Sequence, residues 1–407
     1  MKTLYLHIGT MKTGTTSIQQ FLYRNRKVLE KKGYLFPIFD YQYTKKWTRS
    51  KKRNAMFMSA PLFTKKRERD HEAEHARFYE GMAVVAEAFR KYDNVILTDE
   101  VIWTNAHNFR PELWQELKQY ADEHDFTVKI IVYFRRQDVY LDSYWNHTVK
   151  RLYSRDSFQE FLVNKLDHAT PDYAEGLKKI LEYFPKESLV VHRFERSSFP
   201  EGNVIYDFLE ILGLKPDEGF SFSEKNANER LSANMVQAKL ALNMVDGINP
   251  DEMVHFEKAC LMVSNASDEL YHADQITTEE KRSLVDSYQE GNAWIAEEFF
   301  HDGKPLFRDD YPENEVFRKD NPYETDDIVR FASSSDILLY RKIKELEQEH
   351  LKAKKELEAK LREARKAQEK AEQELQKLKK LVEKETKKEQ EIFGKFPFRL
   401  FVPKNKK

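Results

Sequence analysis

The sequence predicts an α/β fold, in which a parallel sheet is flanked by helices and followed by an added helical region and a C-terminal coiled coil. Short apolar runs alternate with stretches of helical periodicity, which is typical of a parallel sheet covered on both faces. From about Asn226 to Phe300 the pattern is entirely helical. From Tyr340 to Glu391 there is no proline or glycine. We therefore predict three parts: residues 1–335, 336–392 and 393–407.

Four apolar runs indicate strands, and the segments between them have helical periodicity. The predicted strands are Leu4–Ile8, Val95–Thr98, Val128–Phe134 and Ser188–His192. The predicted helices include Thr16–Lys32, Glu112–His124, Pro171–Phe184 and Val204–Leu212.

Composition limits the function classes. The formal net charge of −1 over 407 residues is not that of a nucleic-acid-binding polycation, so we expect no nucleic-acid partner. A single cysteine, Cys260, excludes an intramolecular disulfide and fits a reducing compartment. No run approaches the ~20 apolar residues of a membrane span, so we expect a soluble, cytoplasmic protein.

The loop after the first strand has the composition of an anion-binding turn. In Gly9–Ser17 the glycines let the backbone wrap closely around an anion, and the following helix offers unpaired N–H groups. Gly9 and Gly14 have the glycine spacing of a nucleotide-kinase phosphate loop. However, Thr15 stands where that loop has its lysine, and the only lysine in this loop is Lys12.

The segment Lys12-Thr13-Gly14-Thr15-Thr16-Ser17 resembles the 5′-phosphosulfate-binding loop of PAPS-dependent sulfotransferases (PAPS is 3′-phosphoadenylyl sulfate). The resemblance covers most of residues 1–310 and is nearest to bacterial and carbohydrate-type members. It implies a P-loop-type sheet, PAPS as the sulfuryl donor, no metal, and binding of the donor by all six residues of this segment.

A second match lies after the strand that ends at Phe134. In the family, an arginine that leaves a strand and a serine eight residues later bind the 3′-phosphate of the donor, and Arg135 and Ser143 have this spacing. Arg136 is the competitor for the arginine role. The family's Arg-Lys-Gly loop is not visible, and we expect Lys225–Ser232 to take its place.

Sulfuryl transfer needs a cation at the leaving group and a base for the acceptor hydroxyl. The resemblance implies Lys12 for the first role and Glu100, directly after a predicted strand, for the second. Asp99 and His107 are alternative bases, and either acid could instead cap the next helix. We expect His7, inside a strand, to be a hydrogen-bonded core residue.

Three other functions have some support in the sequence. Val95–Glu100 resembles the second motif of nucleotide kinases and ATPases, which would require Mg²⁺. His71-Glu72-Ala73-Glu74-His75 has the letters of a zinc-protease motif, but it lies in a very polar stretch that favours a solvated helix face. The fold could also be a nucleotide-binding head of a coiled-coil scaffold without catalysis.

Apolar and small residues of the C-terminal helix alternate in steps of three and four, which indicates a coiled-coil seam and a homo-oligomer. The seam has two frames, Leu339, Ile343, Leu346, His350, Ala353 and Leu357, then Leu361, Ala364, Gln368, Ala371, Leu375, Leu378 and Val382. Two successive four-residue steps join the frames as a stutter. A solvated single helix held by Glu–Lys pairs is the alternative.

Two basic segments suggest anionic partners. Residues 45–69 hold ten Lys or Arg against one acid, with aromatic residues and methionines between them, which would suit a carbohydrate or glycolipid acceptor. The tail, Phe393–Lys407, combines aromatic and basic residues and could contact the inner membrane face. A fold-back onto the first domain or a protein partner would fit the tail equally well.

Overall fold

The computed structural model describes residues 1–41, 51–216, 219–222, 230–265 and 271–393. The chain divides into two compact units, Met1–Ser335 and Asp336–Lys407. The predicted tail beyond Phe393 and the larger part of Lys225–Ser232 lie outside the described residues.

The first unit is built on a sheet of five parallel strands. They are β1 (Thr3–Gly9), β2 (Tyr34–Leu35), β3 (Asn94–Thr98), β4 (Thr127–Phe134) and β5 (Leu189–Arg193). Their order is β2-β3-β1-β4-β5, and every neighbouring pair is parallel. The predicted α/β class and the parallel sheet flanked by helices are therefore confirmed. The two-residue edge strand β2 was not predicted, because two residues carry no periodicity.

Fifteen α-helices lie within the described residues. They are α1 (Thr15–Arg24), α2 (Arg26–Lys31), α3 (His71–Ala88), α4 (Ile102–Asn108), α5 (Leu113–Glu123), α6 (Gln137–Arg151), α7 (Phe158–Asn164), α8 (Leu166–Ala169), α9 (Tyr173–Leu181), α10 (Val204–Ile211), α11 (Ala233–Asn243), α12 (Pro250–Ser264), α13 (Thr278–Asp286), α14 (Gln289–Phe299) and α15 (Glu324–Phe393).

The single helix expected from Thr16 to Lys32 is two helices, and Asn25 separates them. The buried Asn25 amide donates to the carbonyl of Phe21 at 3.0 Å and to that of Ser221 at 2.9 Å. Its oxygen accepts from the N–H of Ser221 at 2.7 Å. A contact 196 residues away in sequence thus ends α1, and no local pattern reveals it.

Both faces of the sheet are buried, and β4 shows why. Ile130, Val132 and Phe134 belong to one apolar cluster, whereas Ile131 and Tyr133 belong to the other. Successive side chains of a strand point to opposite faces, so a run that is apolar throughout needs a cover on each face. On the second face that cover includes Ile18, Phe21 and Leu22 of α1 and Phe208 and Leu209 of α10.

The strand order determines where a ligand can bind. The chain forms β2 and β3 on one side of β1 and then crosses to form β4 on the other side. In open parallel sheets, ligands bind beyond the carboxyl ends of the strands at such a switch. The segments that follow β1, β3 and β4 therefore meet at one edge of the sheet.

Part of the basic segment is embedded in the core. Met56, Phe57 and Met58 are buried, so they do not form the surface patch that the sequence suggested. Phe57 lies against Gly81 of α3, where an added Cβ would be 2.2 Å from its ring. Residues 45–50 of the segment lie outside the described residues, and Lys51 and Lys52, where its described part begins, are exposed.

Helix α15 is 70 residues long and is continuous from Glu324 to Phe393. Residues 341–392 are exposed along their whole length. Among the helices described, none is both long and apolar enough to cross a membrane.

Candidate active site

The loop between β1 and α1 is held by its own threonines. The N–H and the hydroxyl of Thr10 donate to the carbonyl of Tyr133 on β4, at 3.2 and 3.1 Å. The Thr13 hydroxyl donates to the carbonyl of Thr10 at 2.5 Å. Thr13 is buried, so its side chain maintains the shape of the loop.

Glycine is required at both ends of this loop. Gly9 has φ 107° and Gly14 has φ 71°, values that favour a residue without Cβ. A Cβ on Gly14 would also lie 3.0 Å from Phe194 and 3.1 Å from Val204. Gly14 is the N-cap of α1, and the first turn of that helix carries no acidic residue. Thr15, Thr16 and Ser17 therefore present the positive end of a helix to the loop.

Glu100 lies beside the loop. A Cβ on Gly9 would be 2.7 Å from the backbone oxygen of Glu100. One carboxylate oxygen of Glu100 accepts from the side-chain amide of Gln19 on α1, and the other is 3.8 Å from Nε of Arg53. Its side chain is partly exposed, so a substrate hydroxyl could reach it.

Asp99 has a different environment. Its Oδ1 accepts from Arg53 at 2.7 and 3.2 Å and from the N–H of Val101 at 3.0 Å. The side chain is fully buried, and burial raises the pKa of Asp99 to about 6. Asp99 thus holds the turn into α4 and anchors Arg53, which leaves Glu100 as the accessible acid of the pair.

Arg135 directly follows β4, whereas Glu100 follows β3, and these two strands flank β1 on opposite sides. One guanidinium nitrogen of Arg135 is 3.4 Å from the carbonyl of Lys12, and the guanidinium is 5.9 Å from the centre of the Phe194 ring. No carboxylate of the described residues is within ion-pair distance of it. The two nearby acids pair with other arginines: Asp142 with Arg230 at 2.5 Å, and Asp138 with Arg136 at 2.8 Å.

Burial lowers the pKa of Arg135, and the positive charge of Arg230 lowers it further, whereas the nearby Asp142 and Asp138 act in the opposite direction. The net lowering means that the charge of Arg135 is only partly compensated in this structure. Arg135 is half-buried and has no carboxylate partner among the described residues, so an anion bound beside it would offset the cost of its partial desolvation.

Arg136, the competing arginine, is already engaged. It forms a two-bond pair with Asp138 at 2.8 and 3.0 Å and donates to the carbonyls of Arg308 and Asp310 at 3.0 and 2.6 Å. Its guanidinium also lies over the ring of Tyr311, which belongs to the same segment as Arg308 and Asp310. These contacts assign Arg136 to the packing of residues 308–311 against the sheet edge.

Arg135 lines a cavity of about 720 Å³. The cavity wall also includes Phe194 and Arg196 after β5, Arg230 before α11, and Arg308. Arg308 pairs with Glu195 at 3.3 Å. Arg230 belongs to the segment that was expected to replace the Arg-Lys-Gly loop, and it is one of the three residues of that segment that the structure describes.

Ser143 is buried on α6, and the cavity wall includes its neighbours Val139 and Asp142 but not Ser143 itself.

His147 is one helical turn later, on the same face as Ser143. Burial, followed by the positive charges of Lys12 and Lys150, lowers the pKa of His147 to about 3. A neutral imidazole of that kind is a weak base, so it does not displace Glu100.

Sequence reasoning missed Gln19, Arg53 and His147 as neighbours of the site. His147 had one available signal, its four-residue spacing from Ser143, whereas Arg53 was noted only as part of a basic segment. Gln19 and Arg53 reach Glu100 from 81 and 47 positions away, and no local motif encodes such contacts.

The remaining histidine candidates lie elsewhere. His107 faces a separate cavity of about 240 Å³, where its Nδ1 is 3.0 Å from Nζ of Lys179. His7 is a core residue as expected: it is fully buried, its Nδ1 is 2.8 Å from the Thr98 hydroxyl, and burial lowers its pKa to about 3.

The zinc-protease interpretation of α3 finds no support. His71 and His75 are exposed and contact different acids, Glu74 at 3.7 Å and Glu116 at 2.8 Å. In the described ranges, no group of three or more His, Cys, Asp or Glu side chains is placed to hold a metal ion.

Comparison with known proteins adds little to this geometry. No family model matches the sequence. The chain is 28% identical over 172 residues to an uncharacterized protein of Archaeoglobus fulgidus, a match that covers 42% of this chain and 46% of the relative. The chain thus spans less than half the length of that curated relative.

Among the solved structures that are similar to the chain are two sulfotransferases. A sulfotransferase from Alicyclobacillus acidocaldarius matches with 19% identity, covering 59% of this chain and 91% of that one, with a TM-score of 0.35. The sulfotransferase domain from the curacin biosynthetic pathway matches with 10% identity, 54% and 76% coverage, and a TM-score of 0.28. Such TM-scores carry no argument about function, which has to rest on the site itself.

Proposed function

We propose that the chain is a PAPS-dependent sulfotransferase that moves a sulfuryl group to a hydroxyl of a carbohydrate or glycolipid. The observation that carries this proposal is Arg135, which has no carboxylate partner among the described residues, donates to the loop carbonyl of Lys12 and lines the 720 Å³ cavity. A donor that bears both a 5′-phosphosulfate and a 3′-phosphate would satisfy the loop and the arginine together.

The order of the parts fits an elongated donor. Glu100 follows β3 on one side of β1, and Arg135, which lines the cavity, follows β4 on the other side. With the 5′-phosphosulfate on the loop and the 3′-phosphate at Arg135, the nucleoside would extend into the cavity. The sulfuryl group would then be directed towards Glu100 and the acceptor.

The chemistry assigns one role to each side of the loop. The acceptor oxygen forms a bond to sulfur as the bond from sulfur to the 5′-phosphate oxygen breaks, and adenosine 3′,5′-bisphosphate leaves. Glu100 accepts the hydroxyl proton, and Lys12 stabilises the negative charge on the departing oxygen. Gln19 and Arg53 hold the Glu100 carboxylate in position.

The kinase alternative has less support from the site. Asp99, the acid that would hold Mg²⁺ in that mechanism, is fully buried and pairs with Arg53. The loop also lacks a lysine after Gly14. A nucleotide-binding head without turnover remains a second candidate, and measurement of catalysis distinguishes it.

Lys51 and Lys52 are exposed and precede Arg53, which contacts Glu100. Positive charge near the base would favour an acceptor that carries carboxylate, sulfate or phosphate groups. This supports an anionic carbohydrate or glycolipid as the substrate class.

Isothermal titration calorimetry with adenosine 3′,5′-bisphosphate tests the donor site. We expect binding without added metal, and we expect Arg135→Ala to weaken it by roughly 2–3 kcal/mol, the value of a charge-assisted phosphate contact. Arg155→Ala is the matched control, because that exposed arginine pairs with Asp246 and does not line the cavity. Preference for ATP–Mg²⁺ over the bisphosphate would contradict the proposal.

A further inference from the structure

The seam of α15 has no cover within the described chain. Apolar side chains of the seam are about half exposed or more, from Ile343 at 46% to Leu357 at 69%. They recur with heptad spacing over more than forty residues, with Leu339 at one end and Val382 at the other. A stripe of this kind is what a second α-helix covers in a coiled coil.

The seam alone does not determine the direction of a partner helix. The spacing of its apolar residues is nearly the same in both chain directions, because the stutter lies at the middle of the seam, between Leu357 and Leu361. In a parallel pair each seam residue meets its own copy. In an antiparallel pair Ile343 would meet Leu378, and Leu346 would meet Leu375, so both arrangements bury apolar groups.

The residues that flank the seam favour the parallel arrangement. The seam residues occupy heptad positions a and d, and Ile343, His350 and Leu375 are examples of position a. In a parallel, in-register pair, the residue that directly precedes a position-a residue (position g) faces the residue five places later (position e) in the partner. Three such pairs have opposite charges. They are Lys342 with Glu347, Glu349 with Lys354, and Glu374 with Lys379. One pair, Lys360 with Arg365, is repulsive, and it lies at the stutter where heptad geometry is interrupted.

The same flanking residues oppose the antiparallel arrangement. The register that matches the apolar layers brings like charges together at three places. They are Glu349 with Glu374, Glu347 with Glu372, and Lys354 with Arg365. Symmetry doubles each of these contacts in a homodimer. The flanking charges thus distinguish between two arrangements that the apolar seam permits equally.

We propose that two copies of this chain pair through α15 as a parallel, in-register coiled coil over residues 339–382. The occupant of the exposed seam is therefore the same helix of a second copy. Ion pairs within one copy, such as Lys342 with Glu345 at 2.8 Å, are exposed and weak, so they exchange readily for pairs between copies.

Charge reversal in the full-length chain tests the direction of pairing. Glu374→Lys faces Lys379 of the second copy in the parallel pair, so we expect the dimer dissociation constant to rise about tenfold or more, since two ion pairs become repulsive. Mixing Glu374→Lys chains with Lys379→Glu chains restores the wild-type affinity. Glu369→Lys, on the far side of the helix, is the control and leaves the affinity unchanged.

Sedimentation over a dilution series gives these constants, and its outcomes are distinct. Tighter association of Glu374→Lys would overturn the proposal in favour of the antiparallel pair, where that lysine meets Glu349. A monomeric wild-type chain would overturn it in favour of a single solvated helix.

Disulfide formation provides an independent readout. Ala364→Cys places two cysteines opposite each other only in the parallel, in-register pair, and oxidation should then link the copies quantitatively. The natural Cys260 is buried and does not compete. Efficient linkage only when Ala364→Cys chains are mixed with Leu357→Cys chains would show the antiparallel pair instead.

Discussion

The two carboxylate oxygens of Glu100 are contacted by side chains from two separate parts of the chain. Gln19 on α1 donates to one carboxylate oxygen, and Arg53 approaches the other at 3.8 Å. Neighbouring Asp99 takes the strong contacts with Arg53, at 2.7 and 3.2 Å. Arg53 is therefore bound mainly to Asp99, and the partly exposed Glu100 carboxylate stays accessible to a substrate hydroxyl.

At the residue scale we expect Glu100→Gln to separate catalysis from binding. The amide keeps the shape of the side chain but cannot take the acceptor proton, so turnover of PAPS should fall by about 10²-fold or more. Affinity for the bisphosphate should be nearly unchanged, because Glu100 lies on the acceptor side of the loop. A radiolabelled-sulfate transfer assay and calorimetry measure the two quantities.

Glu87→Gln is the control for this prediction, since Glu87 is an exposed glutamate of α3. Turnover close to that of the unmodified chain would remove Glu100 from the base role. His147 would then be the next side chain to examine, because it is close enough to Lys12 for that charge to act on it, even though its lowered pKa makes it a weaker base.

The sequence could locate the loop and Arg135 because both follow strands, and the carboxyl ends of parallel strands share one edge. It favoured Arg135 over the adjacent Arg136 only through the spacing to Ser143, and it gave no sign that Arg136 has other partners. The choice depends on Asp138 and on the carbonyls of residues 308 and 310, and the latter lie more than 170 positions away. Roles that depend on such long-range pairing are visible only in the folded chain.

At the scale of elements, the same reasoning explains which boundaries the sequence predicted. Strands β1, β3, β4 and β5 are built around short apolar runs, and each observed bound lies within one residue of the predicted one. The break between α1 and α2 depends on the contact of Asn25 with Ser221, and no periodicity signals it. The α/β class was therefore predictable, whereas the helix break was not.

The packing of residues 55–59 against α3 gives a prediction about stability. Gly81→Ala should lower the free energy of unfolding by about 1–3 kcal/mol, because its Cβ would meet the Phe57 ring at 2.2 Å. Adding Phe57→Leu to that variant should recover part of the loss, since the smaller side chain leaves room for the Cβ. Urea denaturation of the two single variants and the double variant measures the coupling. Strictly additive losses would show that the two positions do not contact each other.

At the scale of the whole molecule, the two compact units should separate cleanly in function. All the residues assigned to the donor site lie in Met1–Ser335, whereas the seam lies in Asp336–Lys407. A chain that ends at Ser335 should therefore bind the bisphosphate with the affinity of the full chain and be a monomer by light scattering. A shortened chain that remains a dimer would place the association in the first unit, and loss of nucleotide binding would show that the site needs the second.

The partly compensated charge of Arg135 also affects what the protein encounters between turnovers. A pocket that favours any small anion is not empty in a cell or in a buffer, where inorganic phosphate and sulfate are abundant. These ions would act as weak competitive inhibitors of the donor, and they would raise the melting temperature of the protein by mass action. Michaelis constants for PAPS obtained in phosphate buffer would then exceed those obtained at the same pH and ionic strength in an amine buffer that contains neither phosphate nor sulfate.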